Sequence, residues 1–315
     1  MITSIIILSS ILLIRTFLFY YNYLFSLLNL LPMEIIALST SNLNCNIDNC
    51  EKETYQVILD WVFLGWVDNP NIKDQENVYS SWIPLISLLI SLFIFNLSRL
   101  LYFRKKMTRV IFFSGIIRFF IIHFSWIVIW TINNLLFLPK GNFWILFLNL
   151  IVFCFVSSGL MAFIFYMIYG KHFVYFRYNY YWLIQFYSKK YKFYILVDLI
   201  KRLIASFFIF FYHYHLSGGM FYLLSIQILF IVSLFFTNVF NRKKNKMLLI
   251  LNLVFSLIPT TLSIFKFYYK DYSHIFDLIN FILMIIYISY NILINLCHKE
   301  SKIIEPPTIE ITNTN

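Results

Sequence analysis

Long apolar runs alternate with short polar gaps along almost the whole chain. The first run extends from Ile5 to Pro32 and is interrupted by Arg15. It predicts a retained helix over roughly 16–31, with Arg15 near the cytoplasmic interface; a cleaved signal peptide is the alternative, although the run is long and has no basic start. Seven further runs follow, at about 82–103, 110–138, 143–169, 193–214, 220–240, 247–265 and 275–297. At a rise of about 1.5 Å per residue, each is long enough to cross a hydrocarbon layer of about 30 Å. Such segments must be helical, because lipid offers no partner to an open backbone N–H or C=O. The expected fold is all-α: a polytopic transmembrane helix bundle of about eight spans, or a signal peptide plus seven.

The gaps give the orientation. Arg104, Lys105, Lys106 and Arg109 share one gap; Lys171, Arg177, Lys189, Lys190 and Lys192 the next but one; Arg242, Lys243, Lys244 and Lys246 the next but one again. These gaps hold no acidic residue, whereas the intervening ones are acidic, neutral or weakly basic. Lys and Arg concentrate on the cytoplasmic side of membrane proteins. Both termini are therefore expected to be cytoplasmic if the first helix is retained. Residues 33–80 form an acidic, Asn-rich exoplasmic or luminal loop, in which Tyr55 to Phe63 has the pattern of a short interfacial helix. Cys45 and Cys50 in that loop are a candidate disulfide. Short outer turns are expected at Pro139 to Asn142, His215 to Gly219 and Lys266 to His274. The domains read as 1–32, first helix or signal anchor; 33–80, loop; 81–297, seven-helix membrane domain; and 298–315, a polar, disordered cytoplasmic tail.

Composition agrees with the pattern. The chain is 61% hydrophobic, 21% aromatic and 12% charged, with a mean hydropathy of +0.77. Lipid accepts that much apolar surface and water does not. The net charge of +11 does not indicate a nucleic-acid partner, because the basic residues follow the topology and no nucleic-acid motif is present. Their expected partners are the bilayer itself and anionic headgroups at the cytoplasmic loops; a homo-oligomer is a further expected assembly. The membrane is expected to be the endoplasmic reticulum or the plasma membrane. The sequence contains no HExxH, GxSxG or phosphate-binding loop and no catalytic carboxylate pair, so neither an enzyme nor a cofactor is expected.

Candidate sites come from charges inside apolar runs, which are costly and often functional. Asp198 stands with Lys201 and Arg202 at the helical spacings i+3 and i+4, a candidate gating or lipid-contact group. Arg118 is a second candidate, whereas His123 is read as a hydrogen-bonded packing residue and Arg99 as a cation snorkelling to the inner surface. Asn96-Leu-Ser has the form of a glycosylation sequon but lies inside a span. A metal site from His213 and His215 with His274 or Asp277 would need an extended chain there and is disfavoured.

The gap from Phe176 to Tyr194 carries Tyr180, Leu183, Phe186, Tyr187, Lys190, Tyr191 and Tyr194, and leads into Lys201-Arg202. Gln227 follows in the next span, and then the turn Asn238-Val-Phe-Asn-Arg-Lys-Lys-Asn-Lys and Leu251-Asn252-Leu253. This stretch, roughly 170–260, resembles the fungal TRP-like family, which includes flavin-carrier proteins and polycystin-related yeast channels. The resemblance implies an ion channel or small-solute transporter. It departs from the family in having only residues 33–80 where a large luminal domain usually stands, and in its short tail, so luminal lipid binding is not carried over. A non-transporting receptor or assembly protein is the alternative function, and a membrane lipid-modifying enzyme ranks last.

Overall fold

The computed structural model describes residues 2–20, 77–103, 109–137, 143–170, 187–213 and 218–297. These are helical throughout, apart from short connections. The helices are α1 (Ile2–Tyr20), α2 (Asn77–Phe103), α3 (Arg109–Ile122), α4 (Phe124–Phe137), α5 (Phe143–Cys154), α6 (Leu160–Tyr169), α7 (Tyr194–His213), α8 (Gly218–Phe236), α9 (Lys243–Tyr268) and α10 (Ser273–Cys297). A π-helical turn, Phe155–Gly159, makes α5 and α6 one continuous rod. The described residues contain no strand, only an isolated antiparallel bridge between Tyr187 and Phe240. The expected all-α class is met.

Three of the rods are long and apolar enough to cross a membrane: Leu146–Tyr169, Gly218–Phe236 and Asn245–Tyr268. Their outward faces are oily. Phe221, Tyr222, Leu229, Phe235 and Phe236 on α8 are all exposed, a surface that water would penalise and lipid tails would not. Polar side chains on these rods turn back onto their own backbones: Ser157 donates to Phe153 O at 2.6 Å and Thr261 to Leu257 O at 2.7 Å. Pro259 interrupts the N–H series of α9, yet the helix continues, and Ser263 donates to the Pro259 carbonyl at 2.7 Å.

The run expected as a single span at 110–138 is divided. α3 and α4 meet at His123 with a bend of 66°, a geometry open to a broken span or a re-entrant loop. No proline or glycine stands at the bend. The backbone bonds on either side persist, His123 N to Phe119 O at 3.1 Å and Ile127 N to His123 O at 2.9 Å. The bend divides the run between two packing groups. α3 packs with α1 and α2, whereas α4 packs with α5 and α7.

α1 also differs from expectation. It begins at Ile2, so Arg15 lies within the helix, and it is buried. α2 starts at Asn77, ahead of the expected boundary, and α9 and α10 extend into what reads as an outer turn. The interfacial helix near Tyr55, Cys45, Cys50 and the tail from 298 all lie outside the described residues.

From α7 onward the helices form a row in which each packs chiefly on its chain neighbours: α7 on α8, α8 on α9, α9 on α10, with α4 and α6 behind α7. The connections are short, so successive helices run antiparallel. The α7–α8 contact is close. A Cβ added at Gly219 would stand 2.7 Å from the Phe208 carbonyl oxygen, whereas at Gly218 it would meet nothing within 4 Å. A backbone carbonyl cannot swing aside as a side chain can. Gly219→Ala is expected to destabilise the protein by about 1–3 kcal/mol, and Gly218→Ala to leave it unchanged, as read by thermal unfolding in detergent.

Candidate functional site

The charged residues of the first three turns of α7 collect on one carboxylate. Lys201 Nζ donates to Asp198 Oδ1 at 2.7 Å, and Arg202 Nε donates to Asp198 Oδ2 at 3.0 Å. The i+3 and i+4 spacings are both used at once, because on a helix they flank residue i from the same side. All three side chains are buried, Arg202 to 1% exposure. One carboxylate against two cations leaves the group at formal charge +1.

Aromatic rings wall it. Lys201 Nζ lies 4.9 Å from the centroid of the Phe230 ring on α8, a cation–π contact strengthened by burial. Tyr194, one turn before Asp198, sets its ring 6.4 Å from Phe230 and 6.0 Å from Tyr187. Tyr187 stacks on Phe240 at 5.3 Å. Ser188 N donates to Val239 O at 2.8 Å, and Ser188 Oγ to Asn238 O at 3.2 Å. The end of the aromatic–basic gap is thus fastened to the turn after α8. Lys246 closes that turn by donating to Phe235 O at 3.3 Å, a cation on the carbonyl end of α8. Sequence separates Tyr187, Tyr194, Lys201 and Phe240; the fold gathers them at one end of the α7–α8 pair.

A second buried ion pair was not legible as one. Lys266 Nζ donates to Asp277 Oδ1 at 2.7 Å, and both side chains are almost fully enclosed. Lys266 belongs to α9 and not to an outer turn, and Asp277 holds a lysine where a metal-ligand role had been weighed. His274 is exposed, and the described residues contain no group of three or more metal-type ligands. The side chain of His213 and all of His215 lie outside the described residues. The one available signal was that both Lys266 and Asp277 are flanked by apolar residues on each side.

Between these charged ends, uncharged polar groups meet across the row. Thr260 on α9 donates to Gln227 Oε1 on α8 at 3.2 Å, and Tyr287 on α10 donates to Asn252 Oδ1 on α9 at 3.5 Å.

The other candidates lie elsewhere. Arg118 is on α3, half-buried, in the group of α1 and α2. Arg99 does not extend to an exposed surface; it is buried, with its guanidinium 5.8 Å from the Phe95 ring and against Gly115. Asn96 Nδ2 donates to Leu92 O at 2.9 Å within α2, so the sequon nitrogen is engaged in the helix. His123 does act in packing. Its Nε2 is 2.9 Å from Thr16 Oγ1 and its ring lies 4.6 Å from Phe119. Thr16 gives its own proton to Leu12 O at 2.6 Å, so His123 donates through Nε2. Cys45 and Cys50 lie outside the described residues.

No protein-family model, curated protein or solved structure matches the chain.

Breaking a buried pair strands a charge, whereas removing both partners does not. Asp277→Asn and Lys266→Met are each expected to cost about 3–5 kcal/mol. The double change Lys266→Met with Asp277→Leu should cost clearly less than the sum, in a double-mutant cycle of thermal unfolding.

Proposed function

We propose that the chain is a multi-pass membrane protein of TRP-like type that conducts or transports ions or small solutes. In this reading about eight spans cross the endoplasmic reticulum or plasma membrane with both termini cytoplasmic, and α7 to α10 form the transport unit. The observation that carries it is the placement of buried charge. Asp198, Lys201 and Arg202 stand at the start of α7, and Lys266 and Asp277 at the junction of α9 and α10. In an antiparallel row these are opposite ends. Charge inside apolar helices costs several kcal/mol per group and marks ion and substrate pathways. The Gln227–Thr260 and Asn252–Tyr287 contacts supply polar groups at intermediate heights. The stretch that resembles the TRP-like family coincides with α7, α8 and most of α9.

The mechanism that fits is control at the inner end. Asp198 holds two cations against α8, and the segment before α7 is fastened to the turn after α8 through Tyr187 and Phe240. Releasing either cation frees charge beside the α7–α8 contact and changes the spacing of the row.

The test is flux through the purified protein in liposomes, with monovalent cations, calcium and anions compared. Flux above that of empty liposomes is expected, with Asp198→Asn and Arg202→Gln each changing it severalfold. Absence of flux from folded protein, across several lipids and voltages, would replace this reading with a receptor or assembly protein.

A further inference from the structure

Asp198 engages only one edge of the Arg202 guanidinium. Nε is bonded; Nη1 and Nη2 are buried and have no hydrogen-bond partner among the described residues. Those two nitrogens form the end of the planar fork, the edge that matches two oxygens of a carboxylate or phosphate. Tyr194 Oη, two turns earlier on the same helix, is also buried and without a partner. An unanswered guanidinium edge in an apolar interior costs more than most polar burials, so the position calls for an anion.

None is offered by the described helices around it. α4, α6 and α8, which surround α7, contain no Asp or Glu. The sequences of the three basic gaps, including 171–192 and 238–246, contain none either. Asp198 is already shared between Lys201 and Arg202, and the group retains a positive charge. Among the described residues no anion answers that edge.

Depth narrows its nature. Helical side chains lean toward the N-terminus, and the bond to Asp198 draws the Arg202 guanidinium back to that level. Asp198 is four residues into α7, about 6 Å from its start. The start of α7 directly follows Lys189, Lys190 and Lys192. In the orientation proposed above, that is the depth of headgroup phosphates on the cytoplasmic side.

We infer that Arg202, backed by Lys201 and Tyr194, binds a phosphate oxyanion presented at the cytoplasmic face. The inference rests on the orientation given under the proposed function and not on transport. A lipid headgroup and a free phosphate offer the same chemistry, and the experiment separates them.

The full chain is purified in non-ionic detergent, where no flux is involved. Binding of radiolabelled inorganic phosphate is measured by equilibrium dialysis. Retention of added phosphatidic acid, against phosphatidylcholine, is measured by mass spectrometry of the intact protein. Saturable binding of one probe is expected. Arg202→Gln should weaken it by about tenfold or more, and Arg202→Lys, which keeps the charge but loses the fork, by a smaller factor. Tyr194→Phe should weaken it severalfold, and Arg242→Gln, at an exposed site, should not change it. Phosphatidic acid alone identifies a headgroup site, and inorganic phosphate identifies a soluble phosphate ligand; either supports the inference. No saturable binding of either probe overturns it. If Arg202→Gln does not fold, wild-type binding by both Arg202→Lys and Tyr194→Phe overturns it equally. Flux without phosphate binding would sink this inference and leave the transport reading intact; binding without flux would do the reverse.

Discussion

A charge inside an apolar helix array has to be neutralised by the chain itself, and that constraint shapes the described structure. Water would solvate Asp198 or Lys266 at little cost, but the closed interior between apolar helices does not. Each buried carboxylate among the described residues therefore sits within 2.7 Å of a lysine nitrogen. The two arrangements differ in reach. Asp198 finds its cations on its own helix, so that group forms with α7. Asp277 finds Lys266 on the preceding helix, so that pair forms only when α9 and α10 pack, and it fixes their relative height.

The helix row follows from the same scarcity of polar partners. Between apolar helices in lipid, burial of oil contributes little; close packing and interhelical hydrogen bonds decide which faces meet. Gly219 lets α8 approach the α7 backbone. Gln227 meets Thr260, and Asn252 meets Tyr287. Each contact joins helices adjacent in the chain, as short connections favour. At the other side of the molecule His123 performs a comparable task, joining the bend between α3 and α4 to Thr16 of α1. The charge at the start of α7 is the exception to this economy. Its two cations exceed its one carboxylate, and the excess lies on the guanidinium edge that no described residue answers.

Element positions were largely legible because oil content per residue is a local property. The apolar runs are helical over most of the described residues, although the run expected at 220–240 ends as helix at Phe236. Boundaries were less so: Arg15, Asn77 to Ser80 and Lys266 are polar enough to resemble ends, yet each lies inside a helix. Lys266 finds its partner on another helix, and hydropathy along the chain does not record it. The break at His123 left no sequence signal at all. No Pro or Gly marks it, and it falls where α3 and α4 part to pack against different groups.

The candidate site divides in the same way. The Asp198, Lys201 and Arg202 group could be read from spacing, since i+3 and i+4 neighbours meet on any helix. The sequence by itself therefore determined the all-α class, the positions of the apolar helices and this local ion cluster, all consequences of interactions within a few residues. Tertiary structure alone decided that Lys266 meets Asp277, that Tyr187 and Phe240 stack beside the start of α7, and that the far edge of Arg202 is buried with no partner among the described residues. Those facts depend on which helix faces which, and in lipid-like surroundings that choice is made by close packing and single hydrogen bonds between residues far apart in the chain.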